Sequence, residues 1–114
     1  MSQSRWVRVG SVRRSDNIEP DKSQALKVLE EASEVHGAWQ RLEEESAFYD
    51  SLDDDPRRVD EWLPVREAKS KLLSECADVI QATLNLVAAY GVEDFRPYMD
   101  ACERRNRERG MITK

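Results

Sequence analysis

Two segments of this chain repeat apolar residues in 3-4 alternation, and that periodicity fixes most of what the chain can become. In the first, Ala25, Val28, Ala32, Val35, Trp39 and Leu42 fall on one stripe of a helical wheel. In the second, Val65, Ala68, Leu72, Cys76, Val79, Thr83, Leu86 and Tyr90 do the same. At about 100° per residue, each stripe needs an apolar neighbour along its length. The two stripes can serve each other. The sequence therefore predicts an all-α fold, a helical bundle of two long antiparallel helices plus shorter helices. The second segment carries another apolar strip, Leu73, Ala77, Ile80, Leu84 and Val87. A helix apolar on both flanks is buried on both, and in so short a chain that calls for completion by oligomerisation.

Local punctuation sets the boundaries. Asp21 follows Pro20 and caps a helix that runs to about Tyr49. The stretch from Asp50 to Pro56 reads as a solvated turn, because it lacks the glycine and terminal glutamate of a calcium loop. Arg57 to Trp62 predicts a short helix interrupted at Pro64, with Trp62 as a cover over the core or a pocket. The second long helix spans Val65 to Tyr90 and stops at Gly91. Asp94 caps a third helix, Phe95 to about Arg109, with Pro97 in its first turn and Gly110 at its end. Residues 1–19, with Arg5, Trp6, Arg8, Arg13 and Arg14, read as an N-terminal arm or short hairpin. Residues 20–114 read as one all-α domain.

The acids are placed by the same wheel. Measured from the middle of the first stripe, Glu31 falls about 60° and Glu34 about 120° to one side, with Glu30 near the solvent pole at about 160°. Glu75 and Asp78 take the same two offsets on the second helix. Antiparallel packing then gathers Glu31, Glu34, Glu75 and Asp78 beside the seam. Such a group repels itself and loses solvation, unless a hard divalent cation neutralises it. Oxygen-only ligands suit Mg²⁺ or Mn²⁺. The competing reading is a plain charged face, since charged residues are 36% of the chain.

Glu30-Glu31-x-x-Glu34 followed by Glu75-x-x-Asp78 resembles the signature of the all-α nucleoside triphosphate pyrophosphohydrolases, the MazG-like group. The stretches KVLEEASEVHGAW and ECADVIQATLNLVAAYGV resemble its motif helices, and the resemblance covers roughly residues 22–110. It implies Mg²⁺-dependent hydrolysis of nucleoside triphosphates, dNTPs or non-standard nucleotides, to the monophosphate and pyrophosphate. Asn85 matches a family position and is expected to bind substrate. Lys27, one turn before Glu31, is either its i,i+4 partner or a phosphate contact. A lysine there also occurs in the related phosphoribosyl-ATP pyrophosphatases, the alternative enzyme reading. Arg105, Asn106 and Arg109, in a basic helix end that resembles MazG-like tails, are expected to form a cationic lid for polyphosphate. Trp39 continues the core stripe, with a nucleobase platform as its other reading. Glu34 or Glu30 would orient the attacking water or accept its proton.

Other chemistries find no support in the sequence. His36 is the single histidine and lies near the solvent side of its helix. No nucleophilic triad, Walker loop or Rossmann glycine pattern can be assembled. A net charge of -5 argues against a nucleic-acid-coating role. Cys76 and Cys102 are expected to be reduced core residues. With no signal peptide and no run judged long enough to cross a membrane, a cytoplasmic homodimer or homotetramer is expected. The alternative outside enzymes is a non-catalytic helical regulatory or interaction module.

Overall fold

In a computed structural model, which describes residues 4–52 and 55–113, the chain is all-helical, with no strand among the described residues. Three α-helices follow one another: α1 (Lys22–Asp50), α2 (Leu63–Ala89) and α3 (Arg96–Glu108), with a 3-10 turn at Pro56–Glu61 before α2. Asp53 and Asp54 of the acidic turn lie outside the described residues. Asp21 caps α1 by accepting a 3.0 Å hydrogen bond from the Ser23 amide. Pro64 does not interrupt a helix. It sits in the first turn of α2, where its missing N–H has no intrahelical partner to lose. Gly91 (φ 82°) and Gly110 (φ 77°) end α2 and α3 in the left-handed region. At Gly110 the Gly110 and Met111 amides donate to the Arg107 and Asn106 carbonyls, which closes the helix end.

α1 and α2 pack along one another and share the 3-10 turn at their connection. Tyr49 stacks on Trp62 at 4.8 Å beside that connection, and Glu31 meets Glu75 farther out, so the two helices run antiparallel. Both are rotated from the expected register. On α1 the residues turned toward α2 are Gln24, Val28, Glu31, Val35, Ala38 and Leu42, while Ala25, Ala32 and Trp39 are exposed. On α2 the buried residues are Val65, Ala68, Glu75 and Ala82. The seams have turned by roughly 40–60° toward the acids. Each helix is apolar over a wider arc than one neighbour covers, so the stripe alone does not choose the angle.

The other side of α2 is met by the N-terminal segment. Residues 4–21 have no regular secondary structure. Val9, Val12 and Arg13 border Ala77, Ile80 and Gln81, and the backbone is tied down by α2 side chains. With apolar residues on both sides, α2 is long and apolar enough, by length and composition, to cross a bilayer, contrary to the sequence expectation. α3 packs against none of the other helices among the described residues. Its first turn borders an open cleft of about 1170 Å³ between the arm and the C-terminal half of α2.

Candidate metal centre

Glu31 and Glu75 are the buried charged side chains of the described chain, 7% and 6% exposed. The rotation of the two helices brings them from the edge of the seam into it. Each is held by a lysine one turn earlier on its own helix. Lys27 Nζ lies 2.9 Å from Glu31 Oε1, and Lys71 Nζ lies 2.7 Å from Glu75 Oε1. This i,i+4 pairing leaves the second oxygen of each carboxylate, Glu31 Oε2 and Glu75 Oε2, buried with no hydrogen-bond donor. Glu34, exposed one turn beyond Glu31, completes the group. One carboxylate oxygen from each of Glu31, Glu34 and Glu75 lies within 4.8 Å of the others.

The electrostatics follow from that crowding. Glu34 is pushed above its ordinary value, first by the hydrogen bond that its protonated form shares with Glu31, then by the charge of Glu31 and by Glu75. Glu75 is lowered, first by its hydrogen bond with Lys71 and despite its burial. Lys27 and Lys71 are raised, each chiefly by the glutamate it holds. Three carboxylates with two orphaned oxygens can be satisfied by a proton on Glu34 or by a cation among them. The donor set is oxygen only, which is the chemistry of a hard divalent ion.

The remaining expected site residues are dispersed. Asp78 is exposed, one turn past Glu75, and is not among the oxygens that converge. Glu30 points outward and lies 3.6 Å from Lys27. Trp39 is 47% exposed, stacked on His36 at 6.0 Å. It lies five residues beyond Glu34, about 140° around α1. Arg105 on α3 and Arg109 at its C-terminal cap are exposed, apart from the acids. Asn106 is half-buried there, its side-chain amide 3.9 Å from Cys102 Sγ.

Asn85 has another occupation. Its Oδ1 accepts from the Ser15 amide at 2.9 Å and its Nδ2 donates to Ser15 Oγ at 3.0 Å. Gln81 Nε2 donates to both Asn85 Oδ1 and the Arg13 carbonyl, at 3.0 Å each. These two residues, one turn apart on α2, clasp the arm. Asn85→Ala is expected to free it. Two hydrogen bonds at about 1 kcal/mol each predict roughly thirtyfold faster tryptic cleavage at Arg13 and Arg14, with helical content unchanged.

Lys71, Gln81 and Ser15 carry parts of this arrangement that the sequence reading did not single out. Lys71 had a visible signal, since Lys-x-x-x-Glu precedes the converging acid in both helices, at Lys27/Glu31 and Lys71/Glu75. The Ser15 contact is 70 residues away in sequence and had none.

No family model, curated protein or solved structure matches this chain.

Proposed function

We propose that Glu31, Glu34 and Glu75, with Asp78 at the rim, hold Mg²⁺ or Mn²⁺, and that the chain hydrolyses nucleoside triphosphates to the monophosphate and pyrophosphate as MazG-like enzymes do, in a bundle completed by a homodimer or homotetramer. The observation that carries the metal reading is the pair of buried carboxylate oxygens, Glu31 Oε2 and Glu75 Oε2, with no hydrogen-bond donor, in a group where one oxygen of each of these glutamates and one of Glu34 lie within 4.8 Å of one another. The choice of nucleotide chemistry rests on the resemblance of the two acidic helices. A bound divalent ion would withdraw charge from phosphate oxygens and acidify a water.

The chain's own residues have distinct roles in this reading. Lys27 and Lys71 each take one oxygen of a buried glutamate and leave the other without a donor. Glu34 is the exposed member, with its proton affinity raised, and is suited to accept a proton from an attacking water. Glu30 and Asp78 flank the opening and can orient that water or add a ligand. Arg105, Asn106 and Arg109 are outside the hairpin and would contribute to phosphate binding only from another chain or after α3 moves.

The test is pyrophosphate release from a panel of NTPs, dNTPs and phosphoribosyl-ATP, in Mg²⁺ and in EDTA. Metal-dependent release from a nucleoside triphosphate is the expected result. Release only from phosphoribosyl-ATP would assign the sister chemistry. No release from any of them, by a folded protein, would leave the acids as part of a non-catalytic helical module.

A further inference from the structure

The arm crosses α2 on the side where the acids open. Gln81 and Asn85 hold it there, at the Arg13 carbonyl and at Ser15. On the helical wheel Asp78 stands between Glu75 and Gln81, about 60° from each. Glu75 is buried in the seam with α1, and Gln81 carries the arm. Asn85 lies two turns beyond Asp78 and about 20° off its line, roughly 10 Å along the axis. The rim at Asp78 is therefore a groove, with α1 along one side and the arm, from Arg13 to Ser15, across one end. Asn17, in the left-handed region at φ 56°, turns the chain between this crossing and the start of α1.

What the arm brings to this end is positive charge. The carboxylates at the opening are Glu30, Glu31, Glu34, Glu75 and Asp78, and the lysines paired with them are Lys27 and Lys71. Fully ionised, the acids exceed the lysines by three charges, and one divalent ion would still leave one. A polyphosphate anion needs a further cation to settle against such a group. Arg14 borders the cleft over Ile80 and Leu84, about 120–160° around α2 from Asp78. The Arg13 guanidinium instead turns to Asp16, beside the clasped Ser15, at 3.0 Å. The two side chains of that pair are 76% and 78% exposed. A pair so exposed contributes little to stability and gives way to a stronger acceptor.

We propose that Arg13 is a phosphate-binding residue of the acid opening, exchanging Asp16 for the phosphate chain of an anion whose other end meets the metal. This deepens the function proposed above and rests on its metal centre, not on its hydrolytic step. The planar guanidinium donates two hydrogen bonds to one phosphate. Because Gln81 and Asn85 already fix the backbone at Arg13 and Ser15, little freedom is left for the ligand to remove.

Calorimetric binding of inorganic tripolyphosphate, with Mg²⁺ in excess, tests this without catalysis. Arg13 is exposed, so its replacement leaves the helices intact. Arg13→Gln should weaken binding by about tenfold, and Arg13→Lys should recover part of the loss, since it keeps the charge but not the fork. Arg41→Gln removes the same charge seven residues beyond Glu34, at the far end of the acid group, and should stay within about twofold of the unaltered chain. The Mg²⁺-induced rise in Tm should be the same in all four proteins. Binding by Arg13→Gln as tight as that of the unaltered chain overturns the proposal. So does an equal loss in Arg41→Gln, which would reflect only the field of the whole chain. A rise in Tm with Mg²⁺ but no tripolyphosphate binding overturns it and leaves the metal centre standing. Arg13-dependent binding without pyrophosphate release sustains the role of the arm and removes the enzymatic reading.

Discussion

Glu34→Gln is expected to yield a protein that is more stable without metal than the unaltered chain, and that no longer responds to metal. The amide removes one of three converging charges and can donate to the oxygens of Glu31 and Glu75 that have no donor. In metal-free buffer near pH 8 its Tm should rise. Mg²⁺ or Mn²⁺ should raise the Tm of the unaltered chain by linkage and leave the variant unmoved, while equal ionic strength from NaCl moves neither comparably. Pyrophosphate release should fall by about two to three orders of magnitude. A charged face without a site gives the opposite pattern: no specific metal effect in either protein.

The same group predicts a pH dependence. Glu34 is raised in the folded chain, so its contribution to stability is present below the ordinary glutamate value of 4.5 and is lost as pH rises through the folded value. Glu75 is lowered, so its contribution is present above 4.5 and is lost as pH falls through its folded value. Metal-free protein should therefore lose stability on either side of mild acidity. The metal-induced gain in Tm should grow as pH rises, because cation and proton compete for Glu34.

Val65→Ala is the second large effect, and it concerns the fold alone. Val65 is 1% exposed, the most buried side chain of the described residues, near the start of α2 where α1, the 3-10 turn and α2 converge. Removing two methyl-sized groups costs about 0.8 kcal/mol each in transfer, plus a cavity term, for a total near 2 kcal/mol. In a domain this small that corresponds to a fall in Tm of roughly 10 °C. Ala82→Gly, at a buried place (5% exposed) that keeps no side chain beyond Cβ, would report helix propensity instead. The two losses can be separated by chemical denaturation with an unchanged slope.

Much of the fold was legible because its signals are local. Asp21, Gly91 and Gly110 each act within one turn of the chain, and the helix limits they imply fall within one or two residues of those observed. The acids were legible as a set because i,i+3 spacing and helical pitch are fixed. What the sequence did not determine was rotation about the helix axes. Ala25, Ala32 and Trp39 were expected in the seam, and Glu31 and Glu75 beside it; their places are exchanged. Both arrangements bury an apolar stripe, and the choice depends on what packs on the remaining side. Asn85 also eluded the sequence reading, since a carboxamide that holds a backbone 70 residues away looks the same as one awaiting a ligand.

The position of α2 in the chain has a consequence for how the protein is made. A helix apolar on two sides is a hazard while it is being synthesised, because either side can adhere to another nascent chain. Here both intramolecular covers come first. The arm and α1 precede α2, so each is already outside the ribosome when the sticky helix emerges. The order arm, α1, α2 lets the chain sheath its most adhesive segment as it appears.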